Sequence, residues 1–262
     1  MKNFNSARFM AVVKKELRDY RRKRSIVVTM VILPFMFLIE PVVAIFIVPG
    51  PTGVANARNY VILPIIYLLL IPSIMPSTVA AFTVLGEREQ GTLEPLLTTP
   101  ISQQEFIAGK AAAVLVPTML LSYGIYALFL LATALFAKGD VPSAVFDQGG
   151  LLIALFVLAP LLAFWAIAVG MAVSVRASDI RVAQQLGSLA SIPPVAAILI
   201  LAVGVLHPTF SVALVFALVL LAIDVRAIRI VAHMMNRERL VTGAKASQPV
   251  TNAGLVGRLR GR

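Results

Sequence analysis

Residues 150–175 read GLLIALFVLAPLLAFWAIAVGMAVSV and contain no charged side chain. A helix of about 20 such residues crosses the hydrocarbon core of a bilayer, so this stretch alone predicts a transmembrane helix. The rest of the chain has the same bias: 59% of its 262 residues are hydrophobic, 13% are charged, and the mean hydropathy is +0.92. Soluble domains are about 45–50% apolar, so the composition indicates a membrane protein.

Five further apolar stretches are each long enough to cross a bilayer, and together the six predict an all-α integral membrane protein with six transmembrane helices. The predicted spans lie near 25–48, 60–84, 111–136, 150–175, 188–206 and 210–230. Only four residues, Leu206-His207-Pro208-Thr209, separate the last two spans. This region therefore predicts either two spans joined by a tight turn or a broken or re-entrant segment covered by protein.

Lysine and arginine are distributed asymmetrically along the chain. If the N-terminus is cytoplasmic, the inner segments hold 21 of the 23 basic residues, and the outer segments hold only Arg58 and Lys138. Cytoplasmic loops are enriched in these residues, so we expect a multi-pass protein of the plasma membrane with both termini in the cytoplasm. A cleaved signal peptide is disfavoured, because the first apolar run is longer than the usual 7–15 residues.

Both ends of the chain are basic. Residues 6–24 predict an amphipathic helix in the membrane interface, although an ordinary basic flank that sets topology would also fit. Its apolar face carries Phe9, Met10, Val13, Leu17 and Tyr20. We expect a single transmembrane domain over 1–240 and a basic, disordered cytoplasmic tail over 241–262. The net charge of +11 indicates anionic lipid headgroups as partners, and no nucleic acid, because the charge lies at the ends of an apolar chain.

The longest inner loop, residues 86–110, reads GEREQGTLEPLLTTPISQQEFIAGK. Gly91 permits a turn after the second span, Thr92 can cap a short helix, and Pro100 ends that helix. Three leucines share one face of the predicted helix: Leu93, Leu96 and Leu97. Such a helix either docks in a groove on a partner or rests on its own protein or on lipid.

Ser102 and Glu105 then form a predicted capping box, which opens the helix that continues into the third span. The loop thus places a short amphipathic helix between two capped helix ends at the cytoplasmic surface.

The loop resembles that of the permease subunits of type 2 ABC exporters. The pattern that carries the resemblance is Glu87-x-Glu89-x-Gly91-Thr92-Leu93-Glu94-x-Leu96-Leu97-x-x-Pro100, followed by Ile107-x-Gly109-Lys110. The resemblance implies that residues 87–100 are a coupling helix that docks on a separate ABC ATPase subunit, which would hold ATP and magnesium. It also implies that two copies, or two related permeases, form the translocation pathway.

Many members of this family carry a re-entrant helical pair on the outer side before the last span. The corresponding region here, around 192–210, is short. The pair is therefore expected to be either folded into this apolar stretch or reduced.

The sequence carries no motif for catalysis or cofactor binding. Gly109-Lys110 lacks the upstream glycine and the following Ser or Thr of a Walker A motif. There is no cysteine, only two histidines, and no spacing typical of metal ligands. We therefore expect a transport subunit that is not an enzyme and binds no cofactor or metal itself.

Several residues inside the spans are unusual for hydrocarbon. Glu40 lies deep in the first span, and we interpret it either as a contact in the pathway or as a residue near the outer interface. Asp224 is predicted to form an ion pair with Arg226 at headgroup level. The second span contains Pro64, Pro72 and Pro76, which predict kinks, and Gly170 is a candidate for close helix approach.

The sequence therefore favours the membrane-spanning subunit of an ATP-driven exporter. A secondary transporter or channel driven by an ion gradient is the alternative, and Glu40 would then be central. A membrane anchor without transport activity is a third class.

Overall fold

The computed structural model describes residues 4–48, 54–92, 99, 101–189, 191–202 and 210–234. These residues are helical, and no strand occurs among them. A π-helical segment, Val43–Ile47, continues α2. The α-helices are α1 (Ser6–Arg22), α2 (Arg24–Val42), α3 (Val54–Tyr67), α4 (Leu70–Ala80), α5 (Phe82–Glu89), α6 (Gln103–Phe136), α7 (Val141–Phe146), α8 (Gly149–Arg176), α9 (Ile180–Leu189), α10 (Ile192–Ala202) and α11 (Phe210–Met234).

Five helical segments are long and apolar enough to cross a membrane. They are Ile26–Ile47, Asn56–Glu89, Gln103–Phe136, Gly149–Arg176 and Ser211–Ala232. They match five of the six predicted spans. The remaining predicted span, near 188–206, falls on α9 and α10, which are 10 and 11 residues long. Residues 190 and 203–209 lie outside the described residues, so the sixth crossing and the re-entrant pair stay predictions.

The second span is built from three consecutive helices, α3, α4 and α5. The break between α3 and α4 precedes Pro72, which has no amide hydrogen to donate to the Leu68 carbonyl. The Ile71 amide donates to that carbonyl instead, at 3.2 Å. The predicted kink at Pro72 is therefore present as a short turn, whereas Pro64 and Pro76 lie inside α3 and α4.

The break between α4 and α5 is bridged by a side chain from α8. The Ser174 hydroxyl accepts hydrogen bonds from the Val84 and Leu85 amides, both at 3.0 Å, and donates to the Ala81 carbonyl at 2.6 Å. Backbone polar groups at membrane depth need partners within the protein. Ser174 supplies them, so the C-terminal end of the second span is held against α8 by hydrogen bonds.

Gly170 allows α8 to approach α4 closely, as its position in the sequence predicts. A Cβ atom at Gly170 would lie 2.6 Å from the Ser77 carbonyl oxygen and 2.7 Å from the Ala80 Cβ. Both distances are shorter than ordinary van der Waals contact. The packing of α4 against α8 is the most extensive helix contact in the described chain.

Two large apolar clusters and a smaller third one around Ala81, Leu85, Ala177 and Ala183 form the core of the described residues. One large cluster is centred on α3, α6, α7 and α8, and it includes the buried Tyr126, whose hydroxyl donates to the Leu68 carbonyl. The other large cluster is centred on α1, α2, α4 and α6. At the end of the bundle near α7, Arg58 pairs with Asp147 at 2.6 Å, which ties α3 to the segment between α7 and α8.

The Gly170 contact predicts the effect of adding one methyl group. Gly170→Ala should lower the free energy of unfolding by about 1–3 kcal/mol, because α4 and α8 must separate to fit the new Cβ. The matched control is Gly124→Ala in α6, where a Cβ meets nothing within 4 Å. Unfolding in detergent, followed by intrinsic fluorescence, measures both variants. Equal stability of the two variants would contradict the close contact.

Candidate functional site

A buried group of four charged side chains lies where α1, α5 and α6 meet. We call it the charge cluster, and it consists of Lys15 and Glu16 from α1, Glu87 from α5 and Lys110 from α6. Glu87 is also the first residue of the predicted coupling segment, residues 87–100. The cluster therefore lies at the base of the loop that the sequence singles out.

Lys110 is at the centre of the charge cluster, and its side chain has no exposed surface. Its ammonium nitrogen lies 2.9 Å from Glu16 Oε1 and 2.9 Å from Glu87 Oε1. It also donates to the Thr83 carbonyl at 2.5 Å. The ammonium group therefore donates hydrogen bonds to Glu16 and to the Thr83 carbonyl, and it forms an ion pair with Glu87.

Lys15 closes the cluster from the more exposed side. Its ammonium nitrogen lies 2.6 Å from Glu87 Oε1 and 2.9 Å from Glu16 Oε1. Each of these two carboxylate oxygens is therefore shared by two lysines. The four groups alternate positive and negative, so their own formal charges sum to zero. Asp19, whose Oδ2 lies 3.3 Å from the Lys15 ammonium nitrogen, adds one further negative charge at the more exposed edge.

The neighbouring ammonium groups of Lys110 and Lys15 keep Glu16 ionised. Burial alone would raise the pKa of Glu16, but the ammonium groups of Lys110 and Lys15 hold that pKa below its usual value. Burial would lower the pKa of Lys15, whereas Glu16 and Glu87 raise it above its usual value. Lys15 and Glu16 therefore both carry their charges at neutral pH.

The charge cluster is one of three contacts that hold α1 against α6. Gly109 allows the close approach, because a Cβ there would lie 2.7 Å from the Val12 Cβ. At the start of both helices, Glu105 Oε1 accepts a hydrogen bond from the backbone amide of Asn5 at 2.7 Å. The other carboxylate oxygen of Glu105 accepts one from the backbone amide of Ser102 at 2.7 Å. The predicted Ser102–Glu105 capping box is thus confirmed, and it also anchors the N-terminus of α1.

The buried side of α1 largely follows the predicted apolar face, because Val13 and Tyr20 are buried and Phe9 and Leu17 pack against the same core cluster. Val12, Val13, Glu16 and Tyr20 are buried, and α1 packs mainly on α6. Met10, which was predicted to lie on the apolar face, is 46% exposed. One side of α1 is therefore part of the protein core, and that side carries both apolar residues and the charged Glu16.

The helix α5 ends in the turn that Gly91 was predicted to form. Gly91 has φ +67°, which a glycine adopts without strain. The Thr92 amide donates to the Glu87 carbonyl at 3.0 Å, and the Gly91 amide donates to the Arg88 carbonyl at 3.2 Å. This pair of bonds is the Schellman motif of helix C-termini. The chain thus leaves α5 in a fixed direction within five residues of the charge cluster.

The structure describes only the first part of the predicted coupling segment. Glu87 is buried in the charge cluster, while Glu89, Gly91 and Thr92 are exposed. The Thr92 hydroxyl donates back to the Glu87 carbonyl at 3.3 Å. The remaining predicted residues lie outside the described residues: Leu93, Glu94, Leu96, Leu97 and Pro100.

Arg88, next to Glu87, contacts the C-terminal end of α8. Its guanidinium group donates to the Val175 carbonyl at 3.1 Å and to the Ala177 carbonyl at 3.4 Å. These carbonyls belong to the last turn of α8 and its C-cap. In the turn that follows, Asp179 Oδ1 accepts from the Arg181 amide at 2.6 Å. Arg88 therefore joins the start of the predicted coupling segment to the turn between α8 and α9.

Glu40 lies apart from the charge cluster, in α2. Its side chain is half-buried, and Oε2 is buried without a hydrogen-bond partner in the described part of the chain. Its predicted contact with the pathway stays a prediction. No group of three or more potential metal ligands (His, Cys, Asp or Glu) that could hold an ion occurs among the described residues.

No pattern in the sequence predicts that Lys15, Glu16 and Lys110 form part of a buried charge cluster. One signal was present: Glu16 lies four residues after Val12 and four before Tyr20, so it interrupts an apolar helical stripe. An acidic residue in that position needs a cation in the opposing surface. Lys110 lies 94 residues further along the chain, and no local pattern identifies it as that cation.

Removing the central ammonium group tests the charge cluster. Lys110→Met should lower the free energy of unfolding by about 3–5 kcal/mol, because Glu16 and Glu87 would keep buried negative charges with one cation fewer. The matched control is Lys14→Met on the exposed side of α1. Thermal unfolding of both purified variants in detergent is the measurement. A Lys110→Met variant as stable as the control would exclude a structural role for the cluster.

Comparison with known protein families agrees with this geometry. A family model described as "ABC-2 family transporter protein" matches residues 10–238, which include α1 from Met10 onward, the five apolar spans of the described residues and the charge cluster. No curated protein matches the chain. The match covers most of the chain, and the described residues are helical with several spans. The chain therefore belongs to the ABC-2 transporter family and is a multi-pass membrane permease.

Proposed function

We propose that this chain is the membrane-spanning subunit of an ATP-driven exporter. It forms the translocation pathway as a dimer, with a second copy or with a related permease. A separate ABC ATPase subunit binds ATP and magnesium and docks on residues 87–100. The chain itself is a transport subunit and not an enzyme.

The proposal rests on Glu87, which belongs both to the predicted coupling segment and to the charge cluster. It is the first residue of the coupling segment, and its carboxylate is bonded to Lys15 of α1 and Lys110 of α6. A force applied to the segment would therefore reach two other helices directly. A loop that only connected two spans would need no such attachment.

Arg88 extends the same attachment to α8 through the Val175 and Ala177 carbonyls. Closure of the partner ATPases would move the coupling segment, and α1, α6 and α8 would move with it. Interfaces of this kind have discrete packed arrangements and do not deform continuously, so the movement switches access from one side to the other.

The membrane arrangement is part of the proposal. The protein lies in the plasma membrane, and both basic ends of the chain are in the cytoplasm. The segment near 188–206 makes a sixth crossing. The exposed basic residues of α1 contact anionic headgroups. They are Lys14, Arg18, Arg21 and Arg22. Residues 241–262 form a basic cytoplasmic tail.

Disrupting the leucine face of the coupling segment tests the docking. Leu93→Glu, Leu96→Glu and Leu97→Glu should each reduce co-purification of the ATPase subunit by tenfold or more, which corresponds to about 1.4 kcal/mol. The reason is that each change places a charge in an apolar contact. Co-purification from membranes that contain both subunits is the measurement.

The matched control is Leu255→Glu in the tail, which should leave co-purification unchanged. Transport by inside-out vesicles with and without ATP then separates the classes of protein. Unimpaired ATPase binding and transport in all three leucine variants would contradict the proposal. Transport that needs an ion gradient and no ATP would favour the secondary transporter or channel, and no transport in either condition would favour the anchor.

Glu40 tests the pathway within the same proposal. A carboxylate in the hydrocarbon region costs about 2.5–3.5 kcal/mol on insertion scales, so a residue kept there without a partner is a candidate for substrate contact. Glu40→Gln and Glu40→Ala should lower the transport rate while expression and ATPase binding persist. Transport at the unmodified rate in both variants would remove Glu40 from the pathway.

A further inference from the structure

The last span, α11, carries an acidic residue in its buried face. The buried positions follow helical spacing and face the core, where α11 packs mainly against α8. They are Ala217, Leu220, Asp224 and Val231. Asp224 is 3% exposed, which is as buried as the apolar residues on either side of it.

Neither carboxylate oxygen of Asp224 accepts a hydrogen bond in the described part of the chain, and both are buried. The predicted ion pair with Arg226 is absent from the structure. Residues two positions apart on a helix point to different faces, and Arg226 is exposed where Asp224 is buried. Arg229 is exposed as well.

Within the described residues, α8 and α6, the helices with the most contacts to α11, offer no cation to Asp224. In α8 the only titratable residue is Arg176, at the last position of the helix. In α6, Lys110 and Glu105 are bonded within the contact with α1. The two tyrosines of α6 donate to carbonyls of other residues, Tyr123 to Phe156 and Tyr126 to Leu68.

An ionised carboxylate in this position would be strongly unfavourable, since it is 3% exposed and has no counter-ion among the described residues. A protonated carboxyl group removes the charge and fits the apolar face. We propose that Asp224 is a proton-binding site, occupied while α11 is packed on α8 and emptied when the two helices separate and water reaches the carboxyl group. The proton binding needs no ATPase, so it does not rest on the proposed function.

The sign of the pH dependence follows from linkage. The packed arrangement binds the proton and the separated arrangement releases it, so low pH favours packing of α11 on α8. Rising pH favours separation. In a transporter that alternates between arrangements, the proton would leave and return once in each cycle.

Infrared spectroscopy of the purified full chain in nanodiscs of uncharged phospholipid tests the site. At neutral pH we expect a C=O stretching band of a protonated carboxylic acid, and Asp224→Asn should remove it or lower its intensity. Asp224→Glu, which keeps a protonatable group, should shift the band. Asp179→Asn, at an exposed turn, is the matched control and should leave the band unchanged. A spectrum of Asp224→Asn identical to that of the unmodified chain would overturn the proposal.

Cysteine labelling tests the link to helix separation, because the chain has no cysteine of its own. Ala227→Cys places a thiol three residues after Asp224, on nearly the same face of α11, so its labelling rate reports separation of the helices. Ile228→Cys places a thiol on an exposed face, so its labelling rate corrects for the effect of pH on ionisation of the thiol. The ratio of the two N-ethylmaleimide labelling rates should rise severalfold with pH and stay constant in the Asp224→Asn background. A ratio that rises equally in both backgrounds would show that Asp224 does not control the contact.

Discussion

The balance of charge around Lys110 determines how one end of this protein is assembled. A buried ammonium group needs acceptors on all sides, and no single helix can supply them. Glu16 comes from α1, Glu87 and the Thr83 carbonyl come from α5, and Lys110 itself comes from α6. Satisfying one charge thus requires three helices to meet at one point. As a result, α1 becomes a part of the core, although its outer side is basic and exposed.

The second span is held in the same way on its opposite side. Its helix is interrupted after Ala80, and the amides of Val84 and Leu85 are satisfied by Ser174 of α8. Arg88 then caps the end of α8. The end of the second span is therefore bonded to α1 and α6 through charges and to α8 through hydrogen bonds. The predicted coupling segment begins in α5, the one helix that all three contact.

The sequence was informative where a local rule decides the structure. Spans of uninterrupted apolar residues, the turn at Gly91, the capping box at Ser102 and the close approach at Gly170 all follow from the chemistry of a few neighbouring residues. The contacts of Lys110 and Ser174 join residues about 90 positions apart, and no periodicity identifies such partners. The predicted ion pair between Asp224 and Arg226 is wrong, because the two residues are near in sequence but lie on different faces of the helix. The predicted span near 188–206 contains α10 and the last two residues of α9, and since residues 190 and 203–206 lie outside the described residues, this crossing stays a prediction.

The distance in sequence between Glu16 and its partners has a consequence for biosynthesis. The helix α1 leaves the ribosome before α5 and α6, so Glu87 and Lys110 become available to Glu16 only after two apolar spans have been made. Until then Glu16 has ionic partners only within α1, among them Lys15. The helix α1, although synthesised before α5 and α6, can therefore complete its charged contacts only after both of them.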